Sequence, residues 1–399
     1  MFSQWLADVA QLKGDVVVTM IERILAEAAR IGSSDVHFQP GKDGVEIRFR
    51  VDGVLHLIGV LPMEHAAQIA ARLKVLSNLL TYKIDIPQEG RVRFGMIPGV
   101  NKEMRISTVS TLYGERVVVR FFPEETRYHY PDELGLPTDI QEGLLRAIQK
   151  NSGAILLCGS AGSGKTTTAY ALLRELADRS ETMRSIVTLE DPIEHALERI
   201  AQIEVSHKNQ LTLNEMIKYM MRQDPEVLLV GEIRDLATAE AAFQAALTGH
   251  LLMTTFHAGS AADAVGRLCE IGIEPFVLRS GISYVLCQRL VRRLCSECAD
   301  IRTESLSLTI ARTSCDLSHY ASPKGCDKCS GTGYYGRILL AEALPLENDE
   351  VMRTLLDRRE TQTIEQIAVE HGMISMSARA MSLVEAHVTS PHEIRRVFG

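Results

Sequence analysis

Apolar positions along this chain change their period twice, and each change marks a different kind of structure. Residues 16–31 carry apolar side chains at helical spacing up to Gly32, which predicts an amphipathic helix. From Val45 the period drops to two: Val45, Ile47, Phe49 and Val51 alternate with Glu46, Arg48, Arg50 and Asp52. Asp52-Gly53 suits a two-residue hairpin turn, so Val54 to Val60 is expected to return as the partner strand. Apolar residues at 66, 69, 73, 76 and 80 predict a helix within 62–80, and strand-like runs follow near 91–97, 103–109 and 115–122. This order lacks strand–helix–strand repetition and predicts a small α+β domain. Its strands are rich in arginine (Arg48, Arg50, Arg91, Arg93, Arg105, Arg116 and Arg120), most of which fit a solvated sheet face.

Residues 122–138, FPEETRYHYPDELGLPT, are polar, hold three prolines and have no period, so they read as a linker. Beyond them the pattern becomes continuous apolar runs at 154–158, 186–190, 227–231 and 250–256, separated by helical segments at 164–178, 211–222 and 235–248. Strands apolar throughout and separated by helices predict a parallel sheet covered on both faces.

The first of those runs leads into Gly159-Ser160-Ala161-Gly162-Ser163-Gly164-Lys165-Thr166, which matches the phosphate-binding pattern G-x-x-x-x-G-K-[ST]. With a strand before it and a helix, beginning with Thr167, after it, the context is the one this motif requires. Its glycines let backbone N–H groups face phosphates, and the helix directs its positive end at them. Lys165 is expected to reach the β- and γ-phosphates and Thr166 to ligate Mg²⁺.

In such sheets ligands sit at the carboxyl ends of the strands. One run ends in Glu190-Asp191-Pro192 with Glu194 and His195 beyond, another in Glu232, and a third is bracketed by His250 and His257. A strand finishing in a carboxylate has the form of a second nucleotide motif, which holds Mg²⁺ or its water. Each residue alone has an ordinary alternative, a helix-starting turn for Glu190-Asp191-Pro192 and a satisfied core histidine for His257. Their joint occurrence downstream of a phosphate loop favours nucleotide hydrolysis.

Composition narrows the class. The 399 residues suggest two or three domains, and a net charge of −8 gives no support to general nucleic-acid binding. No apolar run approaches the ~18–20 residues of a membrane span, and the N-terminus lacks a signal-peptide core, so a cytosolic protein is expected. Cysteine usage adds a metal candidate: Cys295-x-x-Cys298 and Cys326-x-x-Cys329, with 27 residues between the inner cysteines. Two such pairs suit a structural Zn²⁺ with no open coordination position; a redox pair is the alternative, and Cys315 is a possible competing ligand. Cys158, Cys269 and Cys287 read as small buried hydrophobes.

The segments TLEDPIEH (188–195), RQDPEVLLVGEIRD (222–235), AALTGHLLMTTFHAG (245–259) and GERVVVRF (114–121) resemble the secretion ATPase superfamily, in the branch that powers type II secretion and type IV pilus assembly. SSDVHFQP (33–40) and FRVDGVL (49–55) are similar to the start of that family's second N-terminal domain. The resemblance implies a RecA-like ATPase domain at 139–399, with a zinc-binding insert at 289–337 and C-terminal helices at 349–399. A PAS-like N-terminal domain over 1–121 and the 122–138 linker would precede it, without the family's additional N-terminal domain. It implies Glu190 as the base that orients water, Glu232 holding Mg²⁺ through water, His257 at the γ-phosphate, and Arg105 and Arg120 extended towards ATP. Partners implied are further copies in a hexamer and an inner-membrane platform protein; Phe2, Trp5 and Leu6 are candidates for part of the membrane attachment. GCDKCSGTGYYGR (325–337) looks like the assembly branch's cysteine insert, which retraction motors usually lack. Gln39, Ser160-Ala161 and His387 depart from the family's usual Glu, Pro-Thr and Gly. Rival expectations are a retraction or conjugation-type motor, a nucleotide-responsive scaffold and, disfavoured by the charge, a helicase.

Overall fold

Buried side chains recur at helical spacing along Val16–Arg30 (Met20, Ile21, Ile24, Leu25 and Ala28), giving this helix one apolar stripe. In the computed structural model, which describes residues 16–122, 128–205, 211–310, 313–357 and 359–399, that stripe contributes to the core of the first of two units, 1–125 and 126–399. Phe2, Trp5 and Leu6 lie outside the described residues.

The first unit holds one antiparallel sheet. Its strands are β1 (Asp35–Gly41), β2 (Gly44–Val51), β3 (Val54–Leu61), β4 (Gln88–Val92), β5 (Met104–Thr111) and β6 (Gly114–Phe121), in the order β3-β2-β1-β6-β5-β4. Val51 faces Val54 across the hairpin, and Asp52 and Gly53 have φ of 48° and 82°, the paired positive values of a type I′ turn. Val45, Ile47 and Phe49 are buried, so Arg48 and Arg50 project to the other face. The helix expected within 62–80 is a 3-10 turn, Met63–His65, followed by Ala66–Leu76. The strand expected near 91–97 is displaced to Gln88–Val92: Gly95 and Gly99 adopt φ of 77° and 76° and Pro98 lies between them, so turns follow Val92 instead.

Strands β7 (Gly153–Cys158), β8 (Ile186–Glu190), β9 (Ala201–Glu204), β10 (Val227–Glu232), β11 (Leu251–Phe256) and β12 (Ile282–Leu294) enter the second unit's sheet. Then come β13 (Asp300–Arg302), β14 (Leu306–Ile310), β15 (Thr313–Leu317), β16 (Tyr320–Ser322) and β17 (Tyr334–Ala343). The seven-stranded order is β17-β12-β7-β11-β10-β8-β9, parallel except for the β12–β17 pair; β13–β16 and β14–β15 form two small ribbons. All six residues of β7 are buried, as a strand covered on both faces requires. Residues 289–294 of the expected insert complete β12 and 334–337 open β17, so the chain between these strands is 295–333. Of the expected linker, 123–127 lie outside the described residues. Further on, Tyr130 lies under the Arg179 guanidinium, 3.5 Å from its ring centroid, and Pro131–Glu133 forms a 3-10 turn.

Four helices close the chain: Asp349–Leu356, Thr361–Glu370, Met376–Glu385 and Pro391–Phe398. His387 has φ of 58°, the left-handed conformation in which its N–H caps Val384 O (2.9 Å) after the third helix; this is why a glycine suits the position. The last helix is locked to β12 by a buried ion pair. Arg292 donates through Nε and Nη2 to Glu393 Oε2 (2.9 and 2.7 Å), with its guanidinium 3.9 Å from the Tyr334 ring centroid. Burial alone would raise the Glu393 carboxyl, but bonds from Arg396 and Arg292 outweigh it and hold it below the ordinary glutamate value. Its stabilising contribution is therefore full above about pH 4.3 and lost as pH falls through the lowered value. Arg292→Met is expected to cost about 3 kcal/mol, the low end for breaking a buried pair because Arg396 remains. The check is a fall in the urea midpoint; a change below about 1 kcal/mol contradicts it.

Candidate functional site

Strand registers bring four carboxyl ends together. Cys158 at the end of β7 faces Phe256 of β11, Thr255 faces Glu232 of β10, and Val230 faces Leu189 of β8. The residues following these strands therefore border one open cleft of about 970 Å³, lined by Ala161, Lys165, Thr166, Glu190, Asp191, Glu194, Glu232, Arg234, Asp235 and His257 among others.

The phosphate loop has the backbone its glycines permit. Gly159, Gly162 and Gly164 have φ of 147°, 72° and 93°, and a Cβ at Gly159 would stand 2.3 Å from Gln288 O. Helix Lys165–Asp178 begins without a side-chain cap, leaving its first N–H groups to serve an anion. Gln288, missed in the sequence because its partners lie over 100 residues upstream, braces this turn. Its Nε2 donates to Ser163 O (2.9 Å) and its Oε1 accepts from Thr168 Oγ1 (3.1 Å). Ser160 and Thr167 complete the predicted segment, with Thr167 inside the helix.

Lys165 Nζ donates to Gly159 O and Ser160 O (2.9 Å each), folding onto its own loop. Burial lowers its proton affinity, and the Glu232 charge opposes that. Thr166 Oγ1 donates to Glu194 Oε1 (3.3 Å). Glu232, at the end of β10, accepts from Arg234 Nε (2.8 Å) and lies 3.3 Å from His257 Nε2. A hydroxyl and carboxylates around one cleft are hard oxygen donors of the kind Mg²⁺ prefers. Glu190 is buried and accepts from Tyr170 Oη, Thr188 Oγ1 (2.5 Å) and Gln202 Nε2 (3.1 Å). Tyr170, Thr188 and Gln202 were not legible as site residues, since each is an ordinary core or strand residue in its own segment.

Arg105 and Arg120 belong to the first unit. Arg105 pairs with Glu89, and Arg120 Nε donates to Oδ1 of the buried Asp35 (2.7 Å), whose Oδ2 lies 3.4 Å from Arg50 Nε.

A second centre lies beyond the end of β12. The Sγ atoms of Cys295, Cys298, Cys326 and Cys329 all lie within 4.8 Å of one another. Cys295–Cys326 and Cys298–Cys329 are 3.8 Å apart, and Cys326–Cys329 is 3.7 Å. A tetrahedron of ~2.3 Å Zn–S bonds has edges of about 3.8 Å, whereas a disulfide needs about 2.05 Å. N–H groups of Gly325, Cys326 and Gly333 donate to the sulfurs at 3.2–3.3 Å. Burial would raise the Cys329 thiol, but the Cys326 and Gly333 N–H bonds bring it down to about 7. Cys315 instead faces Glu385 Oε1 at 3.9 Å and is outside the group.

The profile of the family described as "Type II/IV secretion system protein" matches residues 10–396. The chain is 35% identical over 388 residues to the "Type IV pilus assembly ATPase PilB" of Acinetobacter baylyi, which covers 96% of the chain and 66% of that protein. It is 38% identical over 386 residues to the "Type II secretion system protein HxcR" of Pseudomonas aeruginosa, covering 96% of the chain and 78% of that protein. In fold it is similar to the Legionella pneumophila ATPase DotB, with a TM-score of 0.69 over 95% of both chains at 22% identity.

Proposed function

Because the chain belongs to the type II/IV secretion system protein family, we propose that it is a Mg²⁺-dependent ATPase coupling hydrolysis to assembly of a type IV pilus or type II secretion pseudopilus. The observation that carries this reading is the gathering of Lys165, Thr166, Glu190, Glu232 and His257 around one cleft. On this reading the loop from Gly159 to Thr166 cradles the phosphates, and Lys165 leaves its own carbonyls for the β- and γ-phosphate oxygens. Thr166 and, through water, Glu232 hold Mg²⁺, which when bound offsets phosphate charge. Glu190 orients the attacking water, His257 senses the γ-phosphate, and Arg105 and Arg120 of the first, PAS-like domain add positive charge as it moves. Zn²⁺ on the four cysteines is structural, since four thiolates leave no position for substrate.

The working form is a cytoplasmic hexamer at the inner membrane, pushing on a platform protein. Among the described residues no helix is long and apolar enough to cross a membrane, consistent with peripheral attachment. The test is phosphate release from Mg·ATP across a protein concentration series with particle mass recorded in the same samples. Specific activity should rise as six copies assemble; background release from an assembled ring would overturn the proposal.

A further inference from the structure

Glu190 is 5% exposed yet borders the cleft, so the direction its carboxylate faces is set by protein groups. Three elements supply donors to it. Thr188, two residues earlier on β8, and Gln202 on β9 both bond Oε1, at 2.5 and 3.1 Å. Oε2 takes the phenol of Tyr170, which stands on the phosphate-loop helix five residues beyond Lys165. An ionised carboxylate offers about four acceptor sites. With two donors on Oε1 and one on Oε2, the remaining site belongs to Oε2.

We propose that Tyr170 is a positioning residue of the hydrolytic reaction: by filling one acceptor site of Glu190 Oε2 it aims the other at the water that attacks the γ-phosphate. This rests on the reading of Glu190 as the base. The cradle is itself fixed. Gln202 Oε1 accepts from Leu197 N (2.6 Å) and its Nε2 also donates to His195 O (3.0 Å). Tyr170 is 1% exposed within the core on its side of the sheet. Burial, then the bond to Glu190, pushes its phenol well above the usual tyrosine value, so it remains a donor at any ordinary pH. One helix thus carries both the phosphate-binding amine and the group that aims the base.

The test is Tyr170→Phe, which keeps the ring and removes one O–H. A lost hydrogen bond to a charged group predicts a kcat lower by roughly ten- to a hundredfold, with KM for Mg·ATP little changed. The acid limb of kcat should move to higher pH, because the ionised carboxylate has lost a donor. Lys165, Asp191, Glu194, Glu232, Arg234 and His257, which share the cleft, are the same in both proteins. An unchanged kcat and acid limb overturn the proposal. So does a lower kcat that comes with a lower melting temperature and an unmoved acid limb, the signature of a packing role. Glu190→Gln, measured alongside, separates the two layers: if it keeps full turnover, the base reading fails; if it is inactive while Tyr170→Phe matches the native chain, only the role of Tyr170 fails.

Discussion

Glu190→Gln is expected to leave ATP binding within a few-fold of the native chain and to cut phosphate release by about 10²–10⁴-fold, the usual worth of a positioned general base. The substitution preserves volume in a site that is 5% exposed, and an amide oxygen still accepts from Thr188. What disappears is the negative charge proposed to draw a proton from the attacking water. On the proposed reading the nucleotide is held by different atoms, the backbone of residues 159–165, Lys165 Nζ and Thr166 Oγ1; the bonds of Lys165 Nζ and Thr166 Oγ1 go to Gly159, Ser160 and Glu194, not to Glu190. Binding of a fluorescent ATP analogue and single-turnover phosphate release, measured on one preparation, separate the two effects. A variant that hydrolyses ATP at the native rate, or that loses binding as completely as turnover, contradicts the assignment.

Removing one sulfur, Cys298→Ser, or stripping metal with a chelator is expected to have the largest effect on structure. Within 295–333, Leu308, Ile310 and Leu317 pack into the second unit's main core, whereas the turns that carry the cysteines have beside them only the small buried cluster of Leu294, Ala321 and Tyr334. A structural zinc contributes about 10–16 kcal/mol in small zinc-dependent peptides, far more than so small a cluster. The native chain should carry one zinc ion, and the variant should lose it and become readily cleaved by protease between 295 and 333. Metal affinity should fall on acidification, because each ligand must be a thiolate and protons compete for the sulfurs. A native chain that is folded, metal-free and has four titratable thiols in this module would contradict the assignment.

The parts legible in the sequence are those whose physics is local. A hairpin turn such as Asp52-Gly53, a buried strand such as β7 and a glycine-rich loop before a helix each carry their signal within about ten residues. The four-cysteine cluster was legible because two C-x-x-C turns each bring two thiols together at short range. What was lost depends on distant partners. Strand β12 places Gln288, Arg289, Arg292 and Arg293 in the sheet that carries the phosphate loop, and four polar residues in six disguise a strand. They are tolerated because Gln288 bonds Ser163 and Thr168, and Arg292 finds Glu393 a hundred residues on. The cradle of Glu190 was hidden in the same way: Tyr170, Thr188 and Gln202 converge from a helix and two strands, and no one segment announces them.

The measurement that bears most directly on the central claim is release of inorganic phosphate from ATP by the native chain, with and without Mg²⁺, beside Lys165→Ala. Removal of the amine that now bonds Gly159 O and Ser160 O takes away the cation assigned to the β- and γ-phosphates. Release should require Mg²⁺ and fall to background in Lys165→Ala, with zinc retained in both proteins. Release that persists in Lys165→Ala, or that proceeds equally well without Mg²⁺, would contradict that claim.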